Sequence, residues 1–476
     1  RAVSAAVAEE SQQGHKQHSF ADACRNYRVW LCAAVYFCIV SGNATIAFWS
    51  PSIIKEIGIQ NNLQIGLISA IPFLAGTLAM VWNGMHSDKT GERRMHSAIP
   101  ALIAATGLIL TGMFLHNAVL ALCAQEIDAQ ELSTTCHVPQ LAELGVMGMN
   151  LPEHLGGAGV TPTAMLLSLV EISRACAATS SMIGAHYLGT DALLIGGSAE
   201  QHQRYLPRAA SGEWLAGFAL TEPRGGSHPA DLRTRAVLHS DGDSYRIDGV
   251  KHFISNAKEA KFLIVFAKTD PDAGARGVSA FIVDTDTPGI SVSAPEKLMG
   301  IHGAHAFEVA FEDVRVPLAN RLGAEGSGFK TAMKALDNSR LDVAATALGI
   351  AEAALAAAVQ WMKDRHIAGE PIATKQGLQW MVADMKLRLE ASWGLTLQAL
   401  ALRQAGQPFT LKSAMAKLHA TEMVAFVADT ALQIHGGYGY TREMPLERYV
   451  RDARILRIYE GSSEVQRNII ARLALG

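Results

Sequence analysis

The stretch IYEGSSEVQR, residues 458–467, places one carboxylate directly after two apolar residues and before a helix start. Apolar surroundings raise the pKa of a carboxyl group by withholding water from its charged form. The two apolar neighbours could therefore raise the pKa of the Glu460 carboxyl towards neutrality. A surface or helix-capping carboxylate is the alternative. Ser463-x-x-Gln466 predicts a capping box for the helix that follows.

Four further motifs precede this stretch in the chain. In the first motif, residues 218–227, the glycines let the backbone approach a ligand closely, and Thr221 and Ser227 offer hydroxyl groups. The motifs are FALTEPRGGS (218–227), FISN (253–256), IHGGYGY (434–440) and RDAR (451–454). Together with residues 458–467, this ordered set resembles the acyl-CoA dehydrogenase family over roughly 350 residues.

The resemblance implies an α+β fold of the acyl-CoA dehydrogenase type. A truncated helical N-terminal part is expected over 126–215, a central β domain over 216–325 and a C-terminal four-helix bundle over 326–476. The hydrophobic pattern along the chain agrees with these three parts, because strand-like segments lie in the middle and Ala/Leu-rich helical runs follow residue 326. Within the β domain, Asp248-Gly249 predicts a hairpin turn between two alternating segments.

The resemblance also implies an activity. Family members oxidise an acyl-CoA thioester to the trans-2-enoyl-CoA, with FAD as cofactor, by α-proton abstraction and hydride transfer to flavin N5. Glu460 matches the family base. Some relatives carry the base at the position of Ser339, and serine cannot serve in that role. Homotetramers that share FAD across a subunit interface, and electron transfer flavoprotein as acceptor, are expected with it.

Site residues follow from the same resemblance, one position at a time. The positions expected to bind FAD are Phe218, Leu220, Thr221, Gly226, Ser227, Phe253, Ile254, Ser255, Arg365, Gln433, Gly436, Gly437, Ser462 and Glu464. Of these, Arg365, Gln433, Gly436 and Gly437 match positions that reach the FAD of the neighbouring subunit. The positions expected to bind the substrate are Ser227, Asp337, Arg340 and Gly461.

For two of these assignments a plain structural interpretation remains open. Asp337 and Arg340 are three residues apart and could form an ion pair on a helix surface. Phe253 could be an ordinary inward-facing strand residue. The chain also departs from the family pattern at His228, where the family commonly has Asp, and at Ala368, where an aromatic residue often packs on the adenine.

Composition excludes some classes of function. The 476 residues carry 41 Lys and Arg against 44 Asp and Glu, and a net charge of −3 gives no basic surface for nucleic acid. The six cysteines contain no C-x-x-C pair, so neither a metal site nor a disulfide framework is indicated, and we expect them to be small buried residues. The first residue is Arg1, which suggests a trimmed chain.

The first 125 residues differ from the rest. They contain 14 charged residues, against 71 in the other 351, and hydrophobic residues make up 49% of the whole chain. Three stretches, 29–54, 57–87 and 95–125, contain no Asp, Glu, Lys or Arg. Each exceeds the ~20 residues needed to cross a bilayer. We therefore expect three membrane-type helices, with membrane association through 29–122; buried core helices are the alternative.

The charged turn GMHSDKTGERR, residues 84–94, lies between the second and third stretches. With residues 36–58 and 66–74 it resembles a fragment of a major facilitator superfamily transporter. Three spans cannot enclose a substrate path, so transport by this chain alone is not expected. The expectation is a transporter-like fragment (1–125) fused to a cytoplasmic flavoenzyme. A transporter remnant or a non-functional fusion with an inactive flavoenzyme part is the alternative.

Overall fold

The structure is a computed structural model, and it describes residues 124–476. The three apolar stretches, the transporter-like turn and the predicted membrane association fall on residues outside this range, apart from the end of the third stretch. Of that stretch the structure describes residues 124 and 125, which begin a helix over 124–130; Ala124 is 2% exposed and Gln125 is exposed. Ala124, at the end of the third stretch, is therefore packed against the rest of the described chain.

After the helix over residues 124–130, four more helices form the front of the described chain, and local signals explain several of their ends. Thr161 caps the second helix by accepting a hydrogen bond from the Ala164 amide, and extended backbone at Cys176 separates the second from the third. Ser198 and Gln201 form a capping box on the fourth. The helices are α1 (Val138–Glu143), α2 (Pro162–Ala175), α3 (Ala177–Gly196) and α4 (Ala199–Ala210).

An eight-stranded sheet follows. Its order is β6-β7-β3-β2-β4-β5-β8, and β1 pairs with β4 in parallel. Strand β4 is almost wholly buried, which matches its apolar sequence. The strands are β1 (Leu215–Ala219), β2 (Arg235–Leu238), β3 (Ser244–Ser255), β4 (Ala260–Lys268), β5 (Val278–Asp284), β6 (Ile290–Val292), β7 (Ala306–Pro317) and β8 (Arg321–Leu322).

The hairpin predicted at Asp248-Gly249 is wrong. Strand β3 runs straight through both residues and pairs with β7 on either side, with a shift of register between Ile247 and Gly249. The Asp248 carboxylate accepts a hydrogen bond from the Asp313 amide on β7 at 2.8 Å. The glycine serves a bulge rather than a reversal, because the two flanking segments pair with β7 and not with each other.

Gly249 is expected to be essential to this bulge. Its φ is +151°, and a Cβ atom there would lie 2.7 Å from the Thr234 Cα. We expect Gly249→Ala to lower the free energy of unfolding by about 1–3 kcal/mol in urea denaturation. Gly377→Ala, where a Cβ would meet nothing within 4 Å, is the matched control. If the two variants were equally stable, the prediction that the bulge requires a glycine at position 249 would be wrong.

The C-terminal part is helical, as predicted. Its first helix, α5, packs against α2 and α3 as well as against the later helices, so it joins the front and back of the fold. Among the helices of residues 124–476, α5 is the one long and apolar enough to cross a membrane, and its apolar part is mostly buried in protein. The elements are α5 (Gly328–Asp364), β9 (His366–Ile367), β10 (Glu370–Pro371), α6 (Gln376–Gln404), α7 (Thr410–His435), α8 (Leu446–Ile455) and α9 (Ser463–Leu475).

The cysteine prediction holds in part for the two cysteines in the described range. Cys176 is buried, 3% exposed, at the break between α2 and α3. Cys136 is exposed, contrary to the expectation of burial, because it lies in a short surface turn of 3-10 helix, Thr134–His137. Residues 124–476 contain no cluster of His, Cys, Asp and Glu that could hold a metal ion.

Candidate active site

Glu460 lies in the turn between α8 and α9. Glu460 and Gly461 both have left-handed backbone, with φ of +52° and +91°, which directs the chain into α9. The cap of α9 is Ser462, so the capping box predicted at Ser463 is one residue out of place. The side-chain amide of Gln466 instead donates from Nε2 to the backbone carbonyl oxygens of Gly461, at 2.9 Å, and Glu460, at 3.3 Å. These two hydrogen bonds fix the turn.

The Glu460 carboxyl is held against the bundle. The Ser339 hydroxyl on α5 donates a hydrogen bond to Glu460 Oε2. Burial raises the pKa of Glu460 to about 8, the direction expected from its apolar neighbours, and the nearby Asp342 carboxyl raises it further when Asp342 is ionised. Lys417 and Arg340 act in the opposite sense by stabilising the charged form. A carboxyl with this pKa can exchange protons near neutral pH.

Lys417, on α7, completes the surroundings of the turn. It is fully buried, and its ammonium group donates a hydrogen bond to the Gly461 carbonyl oxygen at 2.8 Å. Burial lowers the pKa of Lys417 to about 8, and the nearby Glu460 carboxyl opposes that change. The sequence analysis missed this residue, because its position on a distant helix carries no local signal.

Asp337 and Arg340 form the ion pair that the sequence left open, but the pair is buried rather than on the helix surface. Arg340 NH1 pairs with the Asp337 carboxylate, and the two side chains are 4% and 15% exposed. Thr410 also donates to Asp337, at 2.6 Å. Arg340 Nε has no hydrogen-bond partner among the described residues. One donor near Glu460 therefore stays available to a ligand.

Two motifs meet at the end of strands β1 and β3. The His252 amide donates to the Thr221 carbonyl oxygen at 2.9 Å, which joins the 218–227 segment to the 253–256 segment. Phe253 has a left-handed φ of +57° and a side chain 57% exposed, so the open alternative of an inward-facing residue is wrong. Thr221 and Ser255 are half-buried, and Ser227 is exposed in the loop.

A buried ion pair supports this junction. Lys251 Nζ lies 2.9 Å from Glu222 Oε1, and the side chains are 0% and 7% exposed. Thr234 donates to the same oxygen at 2.7 Å, and Lys251 also donates to the Leu220 carbonyl oxygen at 3.2 Å. The sequence analysis missed this role of the pair. A lysine in an otherwise alternating strand was the available signal.

Some predicted cofactor positions have core side chains. Leu220 and Ile254 are 7% and 1% exposed, so each can offer a ligand only backbone groups. The Phe218 ring packs on Phe266 with centroids 4.8 Å apart. Glu464 is exposed on the first turn of α9, and the neighbouring backbone amides of Ser463 and Val465 already donate to the Arg457 carbonyl oxygen and the Ser462 hydroxyl.

The motif at 434–440 lines a separate cavity. This cavity has a volume of about 430 Å³ and is bordered by Trp361, Arg365, Gly436, Gly437 and Tyr438, among others. The Arg365 guanidinium lies 5.7 Å from the centre of the Tyr438 ring. None of the β-domain residues lines this cavity, and exposed Gln433 does not line it either. The predicted cofactor residues thus form two groups in one chain.

The chemistry of both groups fits FAD. The β-domain group combines an exposed aromatic face at Phe253 with the hydroxyls of Thr221, Ser227 and Ser255. In the other group, a Cβ atom at Gly436 or Gly437 would meet nothing within 4 Å, so the backbone is bare beside Arg365. Aromatic stacking surfaces, hydroxyl donors and a guanidinium are what a flavin, a ribityl chain and phosphates require.

Comparison with known proteins gives three family matches along the chain. The N-terminal, middle and C-terminal domain models of acyl-CoA dehydrogenase match residues 113–213, 217–314 and 326–475. The first match begins inside the third apolar stretch. A helix buried in an enzyme core can be as free of charge as a membrane span, so composition alone does not separate the two.

Several relatives align with most of the chain. It is 44% identical to acryloyl-CoA reductase (NADH) of Anaerotignum propionicum over 349 residues, 73% of this chain and 89% of the relative. It is 43% identical to the mitochondrial short-chain specific acyl-CoA dehydrogenase of Mus musculus, and the alignment covers 73% of this chain and 84% of the relative. The butyryl-CoA dehydrogenase structure from Megasphaera elsdenii matches with a TM-score of 0.73 and 38% identity. The match covers 75% of this chain and 94% of the chain in that structure.

Proposed function

The chain belongs to the acyl-CoA dehydrogenase family of FAD-dependent oxidoreductases, and from that premise we propose that it converts a short acyl-CoA to the trans-2-enoyl-CoA with Glu460 as the base. The observation that carries the proposal is the Glu460 carboxyl, half-buried, bonded to Ser339 and with a pKa of about 8. Short-chain and butyryl-CoA relatives support a short acyl group.

The residues of the chain divide the work between binding and proton transfer. Glu460 takes the proton from the α-carbon of the thioester, and the Ser339 hydroxyl holds the carboxylate in place. Arg340, with its unpartnered Nε, pairs with a polar part of the CoA moiety. Gly461 lets the turn pack against Gln466 beside the base, because a Cβ atom at this position would lie 2.6 Å from Gln466 Nε2. FAD, when bound, supplies the acceptor for the hydride from the β-carbon at N5.

Glu460 suits the role of base better than its charged neighbours. Lys417 is cationic and committed to the Gly461 carbonyl oxygen, so it balances the charge of Glu460 instead of accepting a proton. Asp337 is committed to Arg340 and Thr410. In the described chain, Glu460 is the carboxyl that combines left-handed backbone, partial burial and a single hydroxyl donor.

For FAD binding we propose the two groups already described. Thr221, Ser227, Phe253 and Ser255 hold the isoalloxazine ring and pyrophosphate within one subunit. Arg365, Gln433, Gly436 and Gly437 reach the FAD of a neighbouring subunit in a homotetramer. The separation of the two groups within one chain supports the sharing of FAD. Electron transfer flavoprotein is the proposed acceptor, and a chain in the structure of the electron transferring flavoprotein of Acidaminococcus fermentans matches with a TM-score of 0.74.

The pH dependence of flavin reduction tests the base. With the pKa of Glu460 at about 8, the carboxyl is protonated and inactive below that pH, so kcat/KM should rise with pH and level off above 8. The Ser339 donor stabilises the carboxylate, so Ser339→Ala should move the midpoint to higher pH. Ser168→Ala, which removes a hydroxyl bonded within α2, is the control. A profile unchanged in Ser339→Ala would contradict this arrangement.

A further inference from the structure

Asp342 is a buried acid near the proposed base, and the mechanism above does not use it. It is 6% exposed and lies on α5, three residues after Ser339 and four after Asn338. Residues at these spacings share one face of a helix. Ser339 reaches Glu460, and Asn338 donates to Asp191 on α3 at 2.9 Å. Asp342 therefore lies on the face of α5 that is directed at α3 and at the turn that carries Glu460.

Helices α3 and α5 run antiparallel, and two contacts fix their register. The Ser180 and Thr346 hydroxyls lie 2.9 Å apart, and Asp191 meets Asn338. Between these contacts, Asp342 falls opposite residues 184–187 of α3. Gly184 lies on the same stripe of α3 as residues 180 and 191, since the spacings are four and seven residues.

Open space accompanies this register. Gly184 is buried, yet a Cβ atom built on it would meet no atom within 4 Å. Buried positions are normally packed to near-crystalline density, so a buried glycine with this much room marks a cavity. Gly184 faces α5, and Asp342 is opposite. The space therefore lies between the two helices, one turn of α5 beyond the hydroxyl that holds Glu460.

The Asp342 carboxyl has no hydrogen-bond donor within residues 124–476. Asp191, by contrast, accepts from both Asn150, at 2.8 Å, and Asn338. Arg403 on α6 attracts Asp342 electrostatically but forms no ion pair with it, and Arg403 NH1 is itself buried without a partner in the described chain. A buried polar group without a partner is costly, so this carboxyl is suited to a ligand.

The charge state of Asp342 narrows the chemistry of that ligand. Burial raises the pKa of Asp342 to about 8; Arg403 opposes the rise and Asp191 adds to it. At neutral pH the group is then mainly an uncharged carboxylic acid, which can donate and accept a hydrogen bond. A hydroxyl group matches both functions, whereas an ammonium group would require the ionised form.

Resting on the function proposed above, we propose that Asp342 and Gly184 line the far part of the acyl pocket, and that the substrate is a short acyl-CoA with a hydroxyl group towards its far end. A pocket for an unsubstituted hydrocarbon chain would be better served by an aliphatic side chain at this position. Asp342 thus selects the substrate, while Glu460 performs the chemistry.

Matched thioesters test the proposal in the wild-type holoenzyme. The pairs are 5-hydroxypentanoyl-CoA against hexanoyl-CoA, and 4-hydroxybutyryl-CoA against pentanoyl-CoA, which differ by a hydroxyl for a methyl group. We expect kcat/KM to favour the hydroxyl compound of at least one pair by about 10-fold or more. Asp342→Val should reverse the preference. Asp452→Asn, at a buried acid that accepts a hydrogen bond from the Ile301 amide, should lower Tm and keep the preference.

Equilibrium binding to Glu460→Gln separates this inference from the proposed function. Tighter binding of the hydroxyl thioester by that variant supports Asp342 as the selecting group even if Glu460 proves not to be the base. It also requires no folded Asp342 variant. Equal or tighter binding of both unsubstituted thioesters would overturn the inference, as would a preference for 5-aminopentanoyl-CoA over 5-hydroxypentanoyl-CoA. Loss of turnover with every thioester in Glu460→Gln bears on the base alone.

Discussion

Glu460→Gln is expected to retain FAD and to lose reduction of the flavin by acyl-CoA, with a fall in rate of about 10³-fold. The amide keeps the size of the side chain and can still bond to Ser339, but it cannot accept the α proton. Stopped-flow bleaching of the flavin on mixing with butyryl-CoA measures the reductive step directly. The flavin-to-protein absorbance ratio reports whether the cofactor is still bound.

Glu390→Gln is the matched control for this experiment. Glu390 is exposed on α6 and pairs with Lys386 on the surface, so its replacement should leave the bleaching rate unchanged. Undiminished bleaching in Glu460→Gln would move the base to another residue. Loss of FAD along with the activity would instead make Glu460 a group that shapes the cofactor site.

Lys251→Met is expected to cause the largest loss of stability among the proposed variants. The substitution leaves the Glu222 carboxylate buried without its ion-pair partner, which typically costs about 3–5 kcal/mol. It also removes the bond from Lys251 to the Leu220 carbonyl oxygen, and so loosens the segment that leads into Thr221. Tm should fall, and the purified protein should contain less FAD.

Two variants show whether the buried pair is the cause. Lys261→Met removes a half-buried lysine that pairs with exposed Asp286 at the surface, so its Tm should stay close to the wild-type value. Replacing both buried partners, in Glu222→Gln with Lys251→Met, should recover part of the lost stability, because no unpaired charge remains. A double variant no more stable than Lys251→Met would show that the lysine acts through packing rather than charge.

The ordered motifs were sufficient to predict the family, because each one encodes a local requirement of the same chemistry. The strands at 260–268, 278–284 and 306–317 and the long C-terminal helices also follow from local hydrophobic pattern. Where two interpretations shared one local pattern, prediction failed. An Asp-Gly pair suits a hairpin or a bulge, and the pairing of β3 with β7 decided for the bulge at Gly249.

The family, the order of most helices and strands and the candidate base could be predicted from the linear sequence, since these depend on neighbours along the chain. Which buried charges meet became known from the folded chain alone. Lys417 and Glu460, and Lys251 and Glu222, come from distant segments. Their pKa values and packing depend on burial and distance in space, which a linear pattern does not contain.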